Sequence, residues 1–102
     1  MKTDVTYGVV TNALIIFVDA EAESEEEEEV KEEYIKAVTK ECKKKLSGSK
    51  DDDGNIYGLE MTDHKDHFVR QIIMRVVNTM CMEFDVKFAV YINRVDNING
   101  KK

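Results

Sequence analysis

The sequence predicts a small two-layer α+β domain, with an antiparallel or mixed sheet of three or four strands and two helices. Three observations predict it: two apolar runs near the start have strand patterns, two longer segments have the apolar spacing of amphipathic helices, and a late segment alternates apolar and polar residues. The expected order is β-β-α-(β)-α-β. A chain of 102 residues has room for one core, so we expect a single domain over residues 1–95 and a polar C-terminal tail over residues 96–102.

The first two strands are expected to form a hairpin. Val5 to Val9 alternates apolar with small or polar residues, which is typical of a half-buried strand. Ala13 to Val18 is continuously apolar and rich in β-branched residues, as in a strand covered on both faces. The dipeptide Thr11-Asn12 between them is either a turn or a bulge within one long strand, and we favour the turn.

An acidic helix is predicted next. Ser24, with Glu27 three residues later, has the pattern of a capping box, which satisfies the free amides at a helix start. Gly48, which follows a run of lysines, is expected to end the helix. Apolar residues at a spacing of four predict one buried stripe: Val30, Tyr34, Val38, Cys42 and Leu46.

The second half of the chain is predicted to contribute a core helix and a last strand. Residues 47–55 have loop composition, and Ile56 to Met61 is a candidate edge strand. The last strand is predicted over Val86–Ile92, beside the first strand, because apolar and polar residues alternate there. The core helix is expected to begin at Thr62 or Asp63, and its broad apolar stripe is Phe68, Val69, Ile72, Ile73, Val76, Val77, Met80 and Cys81.

Charge is unevenly distributed along the chain. Residues 1–35 contain 11 acidic and 2 basic side chains, whereas residues 36–102 contain 10 acidic and 13 basic side chains. The net charge of −6 disfavours direct binding to nucleic acid or to an anionic membrane, and it favours a basic partner.

Location and source are also indicated by the composition. The longest apolar run is far shorter than the roughly 20 residues of a membrane span, and the N-terminus lacks the pattern of a secretory signal. We therefore expect a cytoplasmic protein with reduced cysteines. Proline and tryptophan are absent, while lysine, asparagine and isoleucine are plentiful, which suggests an AT-rich coding source such as a low-GC bacterium or its phages.

Two segments have partial metal-binding patterns. The loop from Ser49 to Glu60 resembles a calcium-binding EF-hand loop, but Ser49 stands where a carboxylate is usual, so a solvated Asp-Gly turn is the favoured interpretation. His64 and His67 share a helix face but lack the further ligands that zinc requires. We therefore predict no metal or cofactor. The candidate calcium ligands of this alternative are Asp51, Asp53, Asn55 and Glu60.

The sequence does not predict an enzyme. Cys42 and Cys81 lie in apolar stripes and are expected to be core residues rather than nucleophiles. A glycine-rich phosphate loop and a Gly-x-Ser-x-Gly elbow are both absent from the sequence.

The most unusual feature is the segment from Asp19 to Glu33, with ten carboxylates and one lysine. A helix start explains two or three of them. Like charges four residues apart on a helix cost a few tenths of a kcal/mol per pair, so the density invites a functional explanation. A solvated face and a partner-binding face both stay open. The carboxylates opposite the buried stripe are Glu25, Glu29, Glu32 and Glu33.

These four residues support the main functional hypothesis, a non-enzymatic protein that docks its acidic helix on the basic surface of a nucleic-acid-handling partner. Phage-encoded and mobile-element inhibitors of this kind are similar in composition only, and no family is indicated. One alternative is a metal-responsive module that uses Asp51–Glu60 or the His64/His67 pair. Another is a homo-oligomer, such as a homodimer, in which Val86–Ile92 pairs edge to edge with a second copy.

Overall fold

The computed structural model describes residues 1–10, 13–46, 49–50, 56–57 and 63–95. It confirms a small α+β fold with a mixed sheet and the order β-β-α-(β)-α-β, with one additional short strand. The predicted tail over residues 96–102 lies outside the described residues. The elements are β1 Lys2–Val10, β2 Ala13–Glu21, α1 Glu25–Lys45, β3 Ser49–Lys50, β4 Ile56–Tyr57, α2 Asp63–Glu83 and β5 Val90–Val95.

The sheet has the strand order β3-β4-β2-β1-β5. Strands β1 and β2 pair antiparallel with Val10 opposite Ala13, which confirms the predicted hairpin, although residues 11–12 lie outside the described part. Strand β5 pairs parallel to β1, with Thr3 opposite Val90. The first strand is therefore interior, and among the described strands the last one forms one edge of the sheet.

Both helices pack on the same face of the sheet. Thr3 is hydrogen-bonded to Tyr34 of α1, and Tyr7 is hydrogen-bonded to Asp66 of α2. Residues an even number apart on a strand point to the same face, so the two contacts place both helices on one side. The buried apolar core between them comprises Met1, Val5, Tyr7, Leu14, Ile16, Ala20, Tyr34, Val38, Cys42, Leu46, Val69, Ile73, Val76, Val77, Met80 and Cys81.

The prediction that β2 is covered on both faces is wrong. Leu14 and Ile16 face the helices and are buried, but Phe17 is 59% exposed on the opposite face. Asp19 continues this exposed face. The physical reason is the single helical layer, because described residues cover only one side of the sheet. The continuous apolar run from Ala13 to Val18 therefore does not indicate a strand that is buried on both faces.

Helix α1 begins as predicted. The Ser24 hydroxyl accepts the Glu27 amide at 3.2 Å, and three lysines lie in the last turn. The Glu27 carboxylate does not complete a standard capping box, because it accepts the amide of Glu23 at 2.8 Å and the N-terminal ammonium of Met1 at 2.8 Å. The helix ends at Lys45, and Gly48 lies outside the described residues.

The end of α2 explains why the last strand differs from the prediction of Val86–Ile92. The amide of Val86 donates to the Cys81 carbonyl at 2.9 Å, and the amide of Asp85 donates to the Met82 carbonyl at 3.4 Å. This is a Schellman motif, and Asp85 occupies its left-handed position with φ 53°. Residues 86–89 therefore lead from the helix back to the sheet, and β5 begins four residues later than expected, at Val90.

The short strands and the start of α2 also refine the predictions. Ile56–Tyr57 forms part of the predicted Ile56–Met61 strand, whereas Ser49–Lys50 pairs with it from a segment predicted as loop. Helix α2 begins at Asp63, and Thr62 lies outside the described residues. Phe68 was expected in the buried stripe but is 58% exposed.

Candidate functional site

The predicted partner-binding carboxylates lie on one exposed face of α1. All four are exposed, and they lie opposite the buried side chains of Tyr34, Val38 and Cys42. Across the described ranges, none of the four carboxylates takes part in a hydrogen bond or an ion pair of the fold. We call this surface the acidic face; it consists of Glu25, Glu29, Glu32 and Glu33.

Glu27 lies within the same acidic run but has a structural role. Its carboxylate joins the start of β1 to the start of α1 through the Met1 ammonium. The hydrogen bonds from that ammonium and from the Glu23 amide lower the pKa of Glu27. The acidic run therefore contains Glu27, which makes contacts within the fold, and the acidic face, which points to solvent.

The acidic face ends where α1 becomes basic. Lys36, Lys40 and Lys44 are exposed on the same helix, C-terminal to Glu33. Lys43 to Lys45 complement the negative end of the helix dipole. The helix therefore presents a negative half and a positive half to solvent.

A second charged site, which was not predicted, is centred on Asp66 of α2. Asp66 accepts a hydrogen bond of 2.5 Å from the buried Tyr7 hydroxyl. Arg70 Nε lies 3.4 Å from one oxygen of the same carboxylate, and Arg94 Nη1 lies 3.3 Å from the other. The bond from Tyr7, helped by the two guanidinium groups, lowers the pKa of Asp66, while burial and the bond to Asp66 raise the pKa of Tyr7 to about 12.

Beside this network an open groove of about 540 Å³ runs between α2 and β5. Arg70 bridges the groove, because its Nη1 donates to the Ile92 carbonyl at 3.5 Å while its guanidinium lies 5.7 Å from the centre of the Tyr7 ring. We call it the α2–β5 groove. Its lining residues are His67, Arg70, Gln71, Met74, Arg75, Val90 and Ile92.

Comparisons with protein-family models, with curated proteins and with solved structures found no match. The function of the chain must therefore be argued from its own surfaces.

A further groove, of about 560 Å³, lies between α1 and α2. Phe68 and Ile72 form part of its apolar wall, and its charged residues are of both signs, including Glu41 and Lys45. This mixture does not select a partner of either charge.

The open face of the sheet is a third surface that sequence reasoning missed. Phe17 on β2 is 59% exposed and Tyr91 on β5 is 55% exposed. Lys2 lies 4.7 Å from the centre of the Tyr91 ring, in a cation–π contact. The alternation over the predicted strand Val86–Ile92 indicated that Tyr91 points outward. The exposure of Phe17, in contrast, depends on which face of the sheet the helices cover.

Most of the predicted metal ligands lie outside the residues that the structure describes. Asp51, Asp53, Asn55 and Glu60 lie outside the described residues, as does the side chain of His64. His67 is exposed and its Nε2 lies 3.0 Å from Gln71 Nε2. Among the side chains that the structure describes, no group of three or more potential ligands could hold a metal ion.

The two cysteines are buried free thiols, as their positions in apolar stripes predicted. Burial raises the pKa of Cys42 to about 12, so its thiol is protonated at neutral pH. Cys81 lies 3.4 Å from the Tyr34 hydroxyl, which also shares a hydrogen bond of 2.5 Å with Thr3. These contacts tie both helices to β1 within the core. None of the described helices is long and apolar enough to cross a membrane.

Proposed function

We propose that the protein is a non-enzymatic binding protein that docks the acidic face of α1 on a basic surface of a nucleic-acid-handling protein. The carboxylates would take the places of phosphates and exclude nucleic acid from that surface. The protein would therefore act as an inhibitor of the kind that phages and mobile elements encode, within the cytoplasm.

One observation carries the proposal: the acidic face is exposed and is not used by the described part of the fold. Glu27 is held by Met1 and Glu23, so structural use of a carboxylate in this run is recognisable where it occurs. The four outward carboxylates have no such contacts among the described residues, although their mutual repulsion costs stability. Favourable binding of these carboxylates to a basic partner would explain why the sequence keeps charges that lower the stability of the fold.

The spacing of the charges supports a resemblance to nucleic acid. From Glu25 to Glu33 the helix rises about 12 Å at 1.5 Å per residue. Four carboxylates over that length give about one charge every 3–4 Å, close to the 3.4 Å per charge along one strand of DNA. A groove that binds phosphates through lysines and arginines would attract this face for the same electrostatic reason.

The proposal predicts that substituting the acidic face abolishes binding to nucleic-acid-binding proteins. The variant would carry Glu25→Gln, Glu29→Gln, Glu32→Gln and Glu33→Gln, which removes charge but retains shape. Immobilised wild-type protein in an extract of a low-GC bacterium should retain proteins that double-stranded DNA or RNA elutes. For a purified partner, the Kd should rise at least tenfold in the variant and should also rise with salt, because the attraction is electrostatic.

A matched variant with Glu21→Gln, Glu23→Gln, Glu28→Gln and Glu83→Gln changes the net charge equally at exposed positions outside the acidic face. It should retain the same proteins with a Kd within about threefold of the wild type. Equal retention by both variants and the wild type would overturn the proposal, as would retained proteins that nucleic acid cannot elute.

A further inference from the structure

The hydrogen bonds between β1 and β5 show which residues of β5 point their backbone N–H and C=O groups away from β1. The Thr3 amide donates to the Ala89 carbonyl at 2.8 Å, and Thr3 lies opposite Val90 in the parallel pair. In such a ladder, alternate residues of a strand point their backbone groups to one neighbour, so residues 89, 91 and 93 bond to β1. Val90 and Ile92 therefore direct their N–H and C=O groups to the outer edge of the sheet that the described strands form.

One contact of the structure already uses that edge. Arg70 Nη1 donates to the outward carbonyl of Ile92 at 3.5 Å, at the long limit of a hydrogen bond. This carbonyl accepts a donor that comes from outside the sheet. A donor at closer range, such as the amide of an added strand, could replace the guanidinium at this carbonyl without breaking the bond between Arg70 and Asp66.

The groove beside this edge has apolar and basic parts. Val90 and Ile92 provide half-buried apolar contacts, and Met74 is 38% exposed across from them. Arg70 and Arg75 supply positive charge, while the nearby carboxylate of Asp66 is occupied by Tyr7 and two arginines. The lining therefore favours an occupant with carboxylates and small apolar side chains.

A second copy of the chain is a poorer occupant of this edge. Strand β5 carries Arg94 and no carboxylate. Two β5 strands that paired across a twofold axis would bring Arg70, Arg75 and Arg94 of one copy towards the same residues of the other. Like charges at a strand edge are a common means of preventing such pairing.

We propose that the β5 edge and the α2–β5 groove bind an extended acidic peptide segment of a partner protein by strand addition. The segment would form a new strand beside β5, with backbone hydrogen bonds to Val90 and Ile92. Alternate side chains would enter the groove, where apolar groups contact Met74 and carboxylates approach Arg75 and the guanidinium of Arg70. Recognition would combine backbone pairing with charge, as in other strand-addition sites. This site is separate from the acidic face and does not depend on its function.

Labelled decapeptides test the charge of the occupant. A decapeptide that repeats Val-Ser-Glu-Ser places its valines and glutamates on one strand face. This Glu-Val peptide should bind the full-length chain in fluorescence anisotropy, whereas Gln-Val and Lys-Val peptides, in which glutamine or lysine replaces glutamate, should bind at least tenfold more weakly. Arg75→Glu should weaken binding of the Glu-Val peptide at least tenfold. Lys40→Glu, an equal charge change at an exposed position of α1, should change it less than threefold. Equal binding of the Glu-Val and Gln-Val peptides would overturn the proposal.

Two methylated peptides test the strand geometry with the wild-type chain, so folding of a variant is not at issue. In a strand, alternate amides face the same neighbour, so N-methylation of all serines and N-methylation of all valines and glutamates block opposite edges. One of the two peptides should lose binding at least tenfold and the other should retain it. Retention by both would exclude strand addition. A concentration-dependent dimer in sedimentation that Ile92→Pro abolishes would assign the edge to a second copy instead.

Discussion

The acidic face of α1 and the α2–β5 groove carry opposite charges, and they are connected to the core in different ways. The acidic face comes from nine consecutive positions on one helix and lies outside the packing of the fold. The groove is assembled from α2 and β5, and its Arg70 is linked through Asp66 to the hydroxyl of Tyr7. Charge on the first surface is therefore separable from stability, while the charge of Arg70 on the second is not.

The largest effect is expected from Asp66→Ala. The buried Tyr7 hydroxyl would lose its acceptor, and Arg70 and Arg94 would lose their shared partner. We expect the free energy of unfolding to fall by about 2–3 kcal/mol, because an unsatisfied buried hydroxyl costs about 1–3 kcal/mol. Urea denaturation would measure it. Glu83→Ala, an exposed control on the same helix, should change the value by less than about 0.5 kcal/mol; equal effects would show that Asp66 does not link the groove to the stability of the core.

An intermediate effect is expected in acid. The pKa of Asp66 is lowered in the folded protein, so its ionised form contributes stability above the unfolded pKa of about 3.9. That contribution is lost as the pH falls through the lower, folded pKa. The wild type should therefore lose stability between about pH 5 and pH 2, and Asp66→Asn should lose less over the same range. Glu83→Gln should follow the wild-type curve, and an unchanged slope in Asp66→Asn would contradict the assignment.

The smallest effect is expected from the acidic face itself. The variant with Gln at positions 25, 29, 32 and 33 should unfold within about 0.5 kcal/mol of the wild type or be slightly more stable, since like-charge pairs are removed. Glu27→Gln should lower the melting temperature instead, because it weakens the contact with the Met1 ammonium. If the two variants ranked in the reverse order, the separation of the acidic run into structural and outward carboxylates would be wrong.

The elements that sequence reasoning predicted correctly have local signals. The start of α1 depends on Ser24 and on Glu27 three residues later, and the hairpin depends on two apolar runs with two residues between them. The acidic face follows from helical spacing alone. The sequence therefore predicted the class and order of the fold, and the residues of one candidate surface.

The features that were missed depend on contacts between distant residues. The start of β5 was misplaced because the apolar–polar alternation already begins at Val86, whereas the helix-ending motif at Asp85 leaves residues 86–89 as a connection to the sheet. The exposure of Phe17 depends on both helices choosing one face of the sheet. The α2–β5 groove could not be predicted, because the helical spacing of Arg70 and Arg75 does not show which strand lies beside them.

The position of β1 inside the sheet has a consequence for how the chain folds. Its antiparallel partner β2 follows within a few residues, whereas its parallel partner β5 joins Thr3 to Val90, across nearly the whole chain. The hairpin can form early during synthesis, yet one side of β1 then has no partner until the last strand has left the ribosome. Closing so long a loop is slow. We therefore expect the docking of β5 to limit the folding rate, and a nascent chain to present β1 as its most association-prone strand until then.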